Sequence, residues 1–422
     1  MTSRQVELIT IGDELLLGFT VDTNAAHISR VLAAEGIDVA RRTTIGDSAS
    51  VIAGAVSEAL SRTGSVITTG GLGPTSDDLT RPAIAELFGR KLRLDEAMLA
   101  DLEARWRSRF PDGRFPASNR TQAEVPDGAK ILVNRHGTAP GLWLEDDAGR
   151  WVAMLPGVPR EMRGILREEL LPLLEKRLGS GETVVLSRTL RTTGIAESAI
   201  SELLGARFFA DSGLGEIPLA YLPGVAGVDL RVTMKGMPRS AAKPLLDAAI
   251  VKLRSRVEAY AYGEDETDMA EIVLEQCRQR GFRLSVAESC TGGMLGERLT
   301  SIPGASDVFL GGIIAYDNRV KLDALGVSAA GLEQFGAVSE RIAIEMARGA
   351  LNACRADIAL SITGIAGPGG GTPEKPVGLI WVGIAGPETA ARRFHVGGDR
   401  AEIRQRGTQA ALEMLRRALN NR

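Results

Sequence analysis

The feature that most restricts the fold of this chain is a set of short apolar runs that each end in a glycine-bearing polar turn. They are VELITIGDE (6–14), VITTGGLGPTSDD (66–78), FRLSVAESCTGG (282–293) and DIALSITGIAGPGGG (357–371). Runs this short, with glycine at the exit, suit strands buried on both faces. The amphipathic stretches elsewhere (24–35, 95–109, 269–280, 339–354 and 400–419) read as the helices that cover them. Such alternation is the grammar of α/β sheets, whose parallel strands end on one rim and bind ligands there. Eleven of the 49 glycines fall in these four runs, grouped at their ends, so the turns are where chemistry is expected.

At 422 residues the chain exceeds what one core organises, since a domain takes roughly 150 residues. A first α/β domain is expected over 1–178, closing after a strand WVAMLPG and the helix that follows Pro159. LGSGE then reads as a hinge. A β–α–β–β–α module of the α+β type follows over 179–262 and ends in AYGEDETD, whose acidic residues 262–268 read as a linker. A second α/β domain is expected over 263–422.

Lys plus Arg is 50 and Asp plus Glu 53, a formal charge of −3, and aromatic residues are 4% of the chain. Neither a positive excess nor a supply of stacking rings is present, so nucleic acid is not an expected partner. Cys277, Cys290 and Cys354 form no CxxC pair, and His27, His136 and His395 lie far from them and from each other, which excludes zinc sites of known spacing and a disulfide framework. No apolar run approaches the roughly 18 residues of a membrane span. A cytoplasmic protein without a membrane partner is expected.

In the first domain, Gly70, Gly71 and Gly73 let backbone N–H groups converge beside Thr75, Ser76, Asp77 and Asp78. Converging amides hold phosphate, and carboxylates hold a hard cation that neutralises it. Glu14 and Asn24 follow the first strand and reach the same rim. Metal ligands are therefore expected among Asp77, Asp78 and Glu14, with Asn24, Gly70, Gly71, Gly73 and Thr75 at the ligand. In the middle module GVAG (224–227) is formally a GxxG, but it lacks Lys and Arg and sits between strand-like runs, so it reads as a hairpin turn.

In the last domain, Glu288, Ser289, Cys290, Thr291 and Gly292 occupy a strand-to-helix turn where unpaired amides surround an exposed side chain. Ser289 as nucleophile needs a base, and no histidine is placed to serve. Lys321, five residues after Tyr316 in YDNRVK, supplies one if it is shielded from water and loses its charge. Glu288, Thr291 and Gly292 of that turn, with Thr363, Gly364 and Gly367 of SITGIAGPGGG and Arg400 of GGDR, are expected to bind the ligand.

These motifs together resemble the CinA family. IGDELLLGFTVDTN, TTGGLGPTSDDLT and LPGVPREM look like its amino-terminal MoaB/MogA-like domain, the middle module is similar to its KH-like domain, and AESCTGG, YDNRVK, SITGIAGPGGG, EKPVG and GDR look like its carboxy-terminal PncC-type amidase. The resemblance implies an α/β fold of two α/β domains joined by a small α+β KH-like module. It implies deamidation of nicotinamide mononucleotide by Ser289 with Tyr316 and Lys321, without a cofactor. It also implies hydrolysis of ADP-ribose to AMP and ribose 5-phosphate with a divalent metal ion, and a homodimer is expected. The rival readings are a molybdopterin-binding or adenylylating first domain and a non-enzymatic adaptor for competence or DNA repair.

Overall fold

The computed structural model describes residues 4–179 and 183–420. They fall into two compact units, Met1–Leu186 with Met234–Lys243, and Ser187–Thr233 with Pro244–Arg422.

The first unit is built on a six-stranded sheet formed by β1 (Gln5–Ile11), β2 (Asp38–Ile45), β3 (Ser65–Thr69), β6 (Lys130–Leu132), β7 (Gly141–Glu145) and β8 (Trp151–Leu155), in the order β2-β1-β3-β8-β7-β6. A separate two-stranded ribbon joins β4 (Leu92–Leu94) to β5 (Glu124–Pro126). Strands β2, β1, β3 and β8 are parallel, and β7 and β6 continue antiparallel. Alternation along the strands builds two cores. Val6, Leu8 and Ile67 pack with Ile28, Leu32, Met162 and Ile165 on one face, while Ile9, Ile11 and Val66 pack with Ile52, Val56 and Ile84 on the other. Strand β2 and the helix Ala49–Thr63 escape the sequence reading. DVARRTTI is polar because β2 is the sheet edge, with Arg41 and Arg42 exposed.

The middle sheet contains β9 (Val184–Thr192), β10 (Leu219–Pro223), β11 (Val228–Met237) and β12 (Ala261–Glu264), in the order β10-β11-β9-β12. GVAG is the tip of the β10–β11 hairpin, closed by Gly227 O accepting from Gly224 N at 2.8 Å. Only glycine fits at 227, where φ is +146° and a Cβ would lie 1.9 Å from Thr192 O. The acidic stretch 262–268 is not the solvated linker that its composition suggests. Ala261–Glu264 is a strand paired with β9, and Tyr262 is buried in the core of the sheet that follows. Glu264 and Asp265 both bind Arg188, and Asp268 accepts from Ala270 N at 2.8 Å and Arg298 Nε at 2.9 Å. Each charge has a partner, so the stretch is held in place.

The last sheet consists of β13 (Leu284–Glu288), β14 (Phe309–Ile314), β15 (Ile358–Gly364), β16 (Leu379–Ala385) and β17 (Ala390–His395), in the order β14-β13-β15-β16-β17. The first three strands are parallel and the last two antiparallel. Helices Met269–Arg280 and Arg400–Asn420 cover the Leu284, Val286 and Leu360 face, and helix Glu340–Cys354 covers the Ala287 and Ala359 face. Small residues let that helix sit close: a Cβ on Gly383 would lie 2.4 Å from Ala343 O, and one on Gly349 would lie 2.2 Å from Leu325 O.

Candidate active sites

Register assembles the carboxy-terminal site. Glu288 on β13 lies opposite Ile314 on β14 and Ile362 on β15, so the next residues of all three strands meet at one rim. Ser289 N donates to Ile362 O at 2.9 Å and Ala315 N to Glu288 O at 2.7 Å, fixing the three exits against each other. The result is a cavity of about 290 Å³ lined by Ser289, Cys290, Tyr316, Lys321, Thr363 and Arg400, with Gly364 and Gly367 of the glycine-rich loop.

Lys321 is 1% exposed, and its ammonium donates only to carbonyls, Ala315 O at 2.8 Å and Tyr316 O at 3.1 Å. Burial lowers its pKa below the ordinary lysine value, partly offset by the nearby Asp317 and Cys290. A lysine in this state can give up its proton. Cys290 is also buried, and desolvation pushes its thiol up to about 12, which keeps it neutral and disfavours it as the nucleophile. Tyr316 is 62% exposed, and its hydroxyl lies 2.9 Å from Arg400, whose guanidinium also donates to Gly367 O at 2.6 Å. Thr363 Oγ1 donates to Ala337 O at 2.9 Å.

Three expected ligand contacts lie outside the cavity lining. The Glu288 carboxylate accepts from Gly293 N and Leu295 N at 3.0 Å and from Gly296 N at 2.8 Å, so it caps the helix Met294–Thr300. Thr291 is fully buried with its hydroxyl unpartnered, while its carbonyl accepts from Arg404 at 2.6 Å. Gly292 N donates back to Ser289 O at 3.1 Å and Thr291 is shut away from the cavity, which leaves the Cys290 amide, on the cavity wall, as the donor for an oxyanion. Asn318 also lines the cavity and escapes the sequence reading. Its place between Tyr316 and Lys321 at a helix start was the available signal.

The second cavity, about 460 Å³, opens on the rim where β1, β3 and β8 end. Glu14, Asn24, Gly70, Gly71, Gly73, Asp77 and Asp78 line it, and Thr75 does not. Glycine is required at 70 and 71: φ is +110° and +65°, and a Cβ would lie 2.1 Å from Ile11 O and 2.2 Å from Thr80 Oγ1. Asn24 Nδ2 donates to Gly157 O at 2.7 Å, while its buried Oδ1 has no partner. Asp78 is spent on the loop itself, accepting from Gly73 N at 2.7 Å, from Thr75 N at 2.8 Å and from the Thr75 hydroxyl.

Asp47 is the residue that motif reading misses here. It ends β2 in TTIGD as Asp13 ends β1 in ITIGD, and Ile11 pairs with Ile45. The two aspartates exchange bonds, Asp13 N to Asp47 at 2.9 Å and Asp47 N to Asp13 at 3.4 Å. That repeated IGD was the signal. Burial raises the Asp47 pKa, with the charges of Asp13, Glu14 and Asp77 adding to the rise. Among the described residues, no group of three His, Cys, Asp or Glu is already gathered at metal-ligand spacing, and no helix is long and apolar enough to cross a membrane.

A doubly covered sheet with a glycine-rich acidic rim, a small α+β module and a second sheet with a serine–lysine cavity define a multidomain α/β protein of recognisable type. Family models match in the same order: "Probable molybdopterin binding domain" over 7–176, "Damage-inducible protein CinA KH domain" over 187–263 and "CinA C-terminal domain" over 266–419. A CinA-like protein of Gemmatimonas aurantiaca is 55% identical over 414 residues, covering 98% of this chain and 96% of the relative. A "Putative competence-damage inducible protein" of Caldicellulosiruptor saccharolyticus is 43% identical over 98% of this chain and 99% of its own. The chain belongs to the CinA family. A crystal structure of a competence/damage inducible protein from Agrobacterium tumefaciens is 43% identical over 36% of this chain and 94% of that one, with a TM-score of 0.35.

Proposed function

We propose that the carboxy-terminal cavity deamidates nicotinamide mononucleotide to nicotinic acid mononucleotide and ammonia, the activity implied by the family resemblance. The observation that carries the reading is Lys321, buried on carbonyl oxygens with a lowered pKa in the cavity that holds Ser289. Neutral Lys321 takes the Ser289 proton as Oγ attacks the carboxamide carbon. The Cys290 amide receives the oxyanion. Collapse of the tetrahedral intermediate breaks the C–N bond, and Lys321 returns the proton to the departing nitrogen, which leaves as ammonia. Water then attacks the acyl-serine, Lys321 accepts its proton, and the acid is released as Ser289 is reprotonated. Tyr316, held by Arg400, borders the carboxamide and orients it.

The first cavity is read as hydrolysing ADP-ribose to AMP and ribose 5-phosphate. Its oxygen donors suit a hard divalent cation. Glu14, Asp47 and Asp77 would hold it, because none is ion-paired among the described residues and Asp78 is committed to the loop. A bound cation would neutralise pyrophosphate charge, and the Gly70–Gly73 backbone and Asn24 would position the substrate. A molybdopterin-binding role is a second reading, favoured by the family description matched over 7–176. One experiment tests both sites. Purified protein is incubated with nicotinamide mononucleotide or with ADP-ribose, with and without divalent metal, and ammonia and AMP are assayed. Ammonia without metal, and AMP only with metal, are expected. Absence of either product rejects the corresponding reading.

A further inference from the structure

We propose that Glu288 is a positioning residue for Ser289: its carboxylate pins the turn 289–293 onto the start of the helix Met294–Thr300 and so keeps the Cys290 amide free for the oxyanion. The proposal rests on the amidase reading. Glu288 is 1% exposed, and its carboxylate has no Lys or Arg partner among the described residues; the three amides of Gly293, Leu295 and Gly296 take the place of water and of a counter-ion. Its own carbonyl is tied to Ala315 N at 2.7 Å, so backbone and side chain clamp the turn from two sides. The chain folds back over the carboxylate through Gly292 and Gly293, at φ of +58° and +99°, where other residues would be strained.

The start of a helix ordinarily offers its free N–H groups to a ligand anion. Here Glu288 already occupies three of them. A developing oxyanion must therefore be met by the Cys290 amide that precedes the helix, and its direction depends on the carboxylate beneath it. Without it, three buried donors lose their acceptor, the turn relaxes towards other partners, and Ser289 moves with it. A displacement of about 1 Å is enough to cost on the order of a hundredfold in rate.

The test uses the full-length chain with Glu288→Gln and Glu288→Asp, and Glu297→Gln as a control that removes an exposed first-turn carboxylate of the same helix. Three readouts are taken: the melting temperature, kcat and KM for nicotinamide mononucleotide, and the rate at which a fluorophosphonate probe labels Ser289. Glutamine keeps the shape but must turn its NH2 towards an amide. Aspartate keeps the charge but falls one methylene short. Both variants are expected to lower kcat and the labelling rate together, roughly tenfold to a hundredfold, with KM within about twofold of wild type. Glu297→Gln should match wild type. A raised KM at unchanged kcat would mean that the carboxylate touches substrate, and a lower melting temperature with unchanged kcat and labelling would mean a purely structural cap; either overturns the proposal. If the glutamine variant does not fold, the aspartate variant decides on the same criteria. Wild-type protein that is labelled but releases no ammonia sinks the amidase reading alone, and the labelling rates still decide the role of Glu288.

Discussion

Lys321 and Cys290 lie in the same cavity, and burial moves their pKa values in opposite directions, down for the lysine and up for the thiol, as the proposed serine–lysine mechanism requires. Ser289→Ala should lower ammonia release by about a thousandfold or more. Cys290→Ala should retain most of it, and the reverse ordering would reject serine as nucleophile. In the proposed mechanism Lys321 acts when neutral, so kcat/KM should rise with pH through its pKa, and burial places that rise below the usual lysine range of about 10.4. Asp317 raises the Lys321 pKa through its charge and caps the following helix by accepting from Arg319 N at 2.8 Å. Asp317→Asn keeps a capping side chain and removes the charge, so the rise should move to lower pH, as read from a pH–rate profile. Lys321→Arg should abolish the profile along with the activity, since guanidinium does not titrate. At this scale the meeting of Ser289, Tyr316 and Lys321 at one cavity was legible in the sequence, because each follows or adjoins a strand exit whose turn motif could be read. Glu288 was misread because an acid in a reactive turn looks the same in sequence whether it faces a ligand or a helix end. Asp47 was missed because it follows a polar edge strand with no apolar signature.

Strands were legible where burial on both faces demanded mostly apolar runs closed by a glycine-bearing turn, as in β1, β3, β13 and β15. They were illegible where an edge relaxed that demand, as in β2, and where ion pairs replaced apolar packing, as in β12. An acidic stretch reads as solvated until its arginines are known, and Arg188 lies 76 residues before Glu264 in the chain. Close contact between helix Glu340–Cys354 and its sheet gives this scale its own prediction. Gly383→Ala forces a methyl to 2.4 Å from Ala343 O, a backbone atom that cannot swing aside. A loss of about 1–3 kcal/mol in denaturant unfolding is expected. An unchanged midpoint would show that the helix can shift without cost.

Taken as a whole, the chain carries two cavities whose lining residues fall in different compact units. Asp47→Asn with Asp77→Asn should stop AMP formation from ADP-ribose and leave ammonia release near wild type, while Ser289→Ala should do the opposite. Loss of both products in either variant would show that the sites are coupled. The order of the three segments was legible because each carries its own motif, whereas the way the acidic stretch is tied in depended on partners far along the sequence. The in-step exits of β13, β14 and β15 also determine where the chain can tolerate changes of length. Deleting one residue from Phe309–Ile314 would turn the strand by one pleat, bring Tyr316 to the wrong face and draw Lys321 out of reach. An added residue in the exposed turn 387–389, at the opposite rim between β16 and β17, leaves that alignment untouched. Scanned for single-codon insertions and deletions under selection for amidase, the gene should accept length changes at that turn and reject them along the three strands, so that natural length variation gathers on the side of the sheet away from the chemistry.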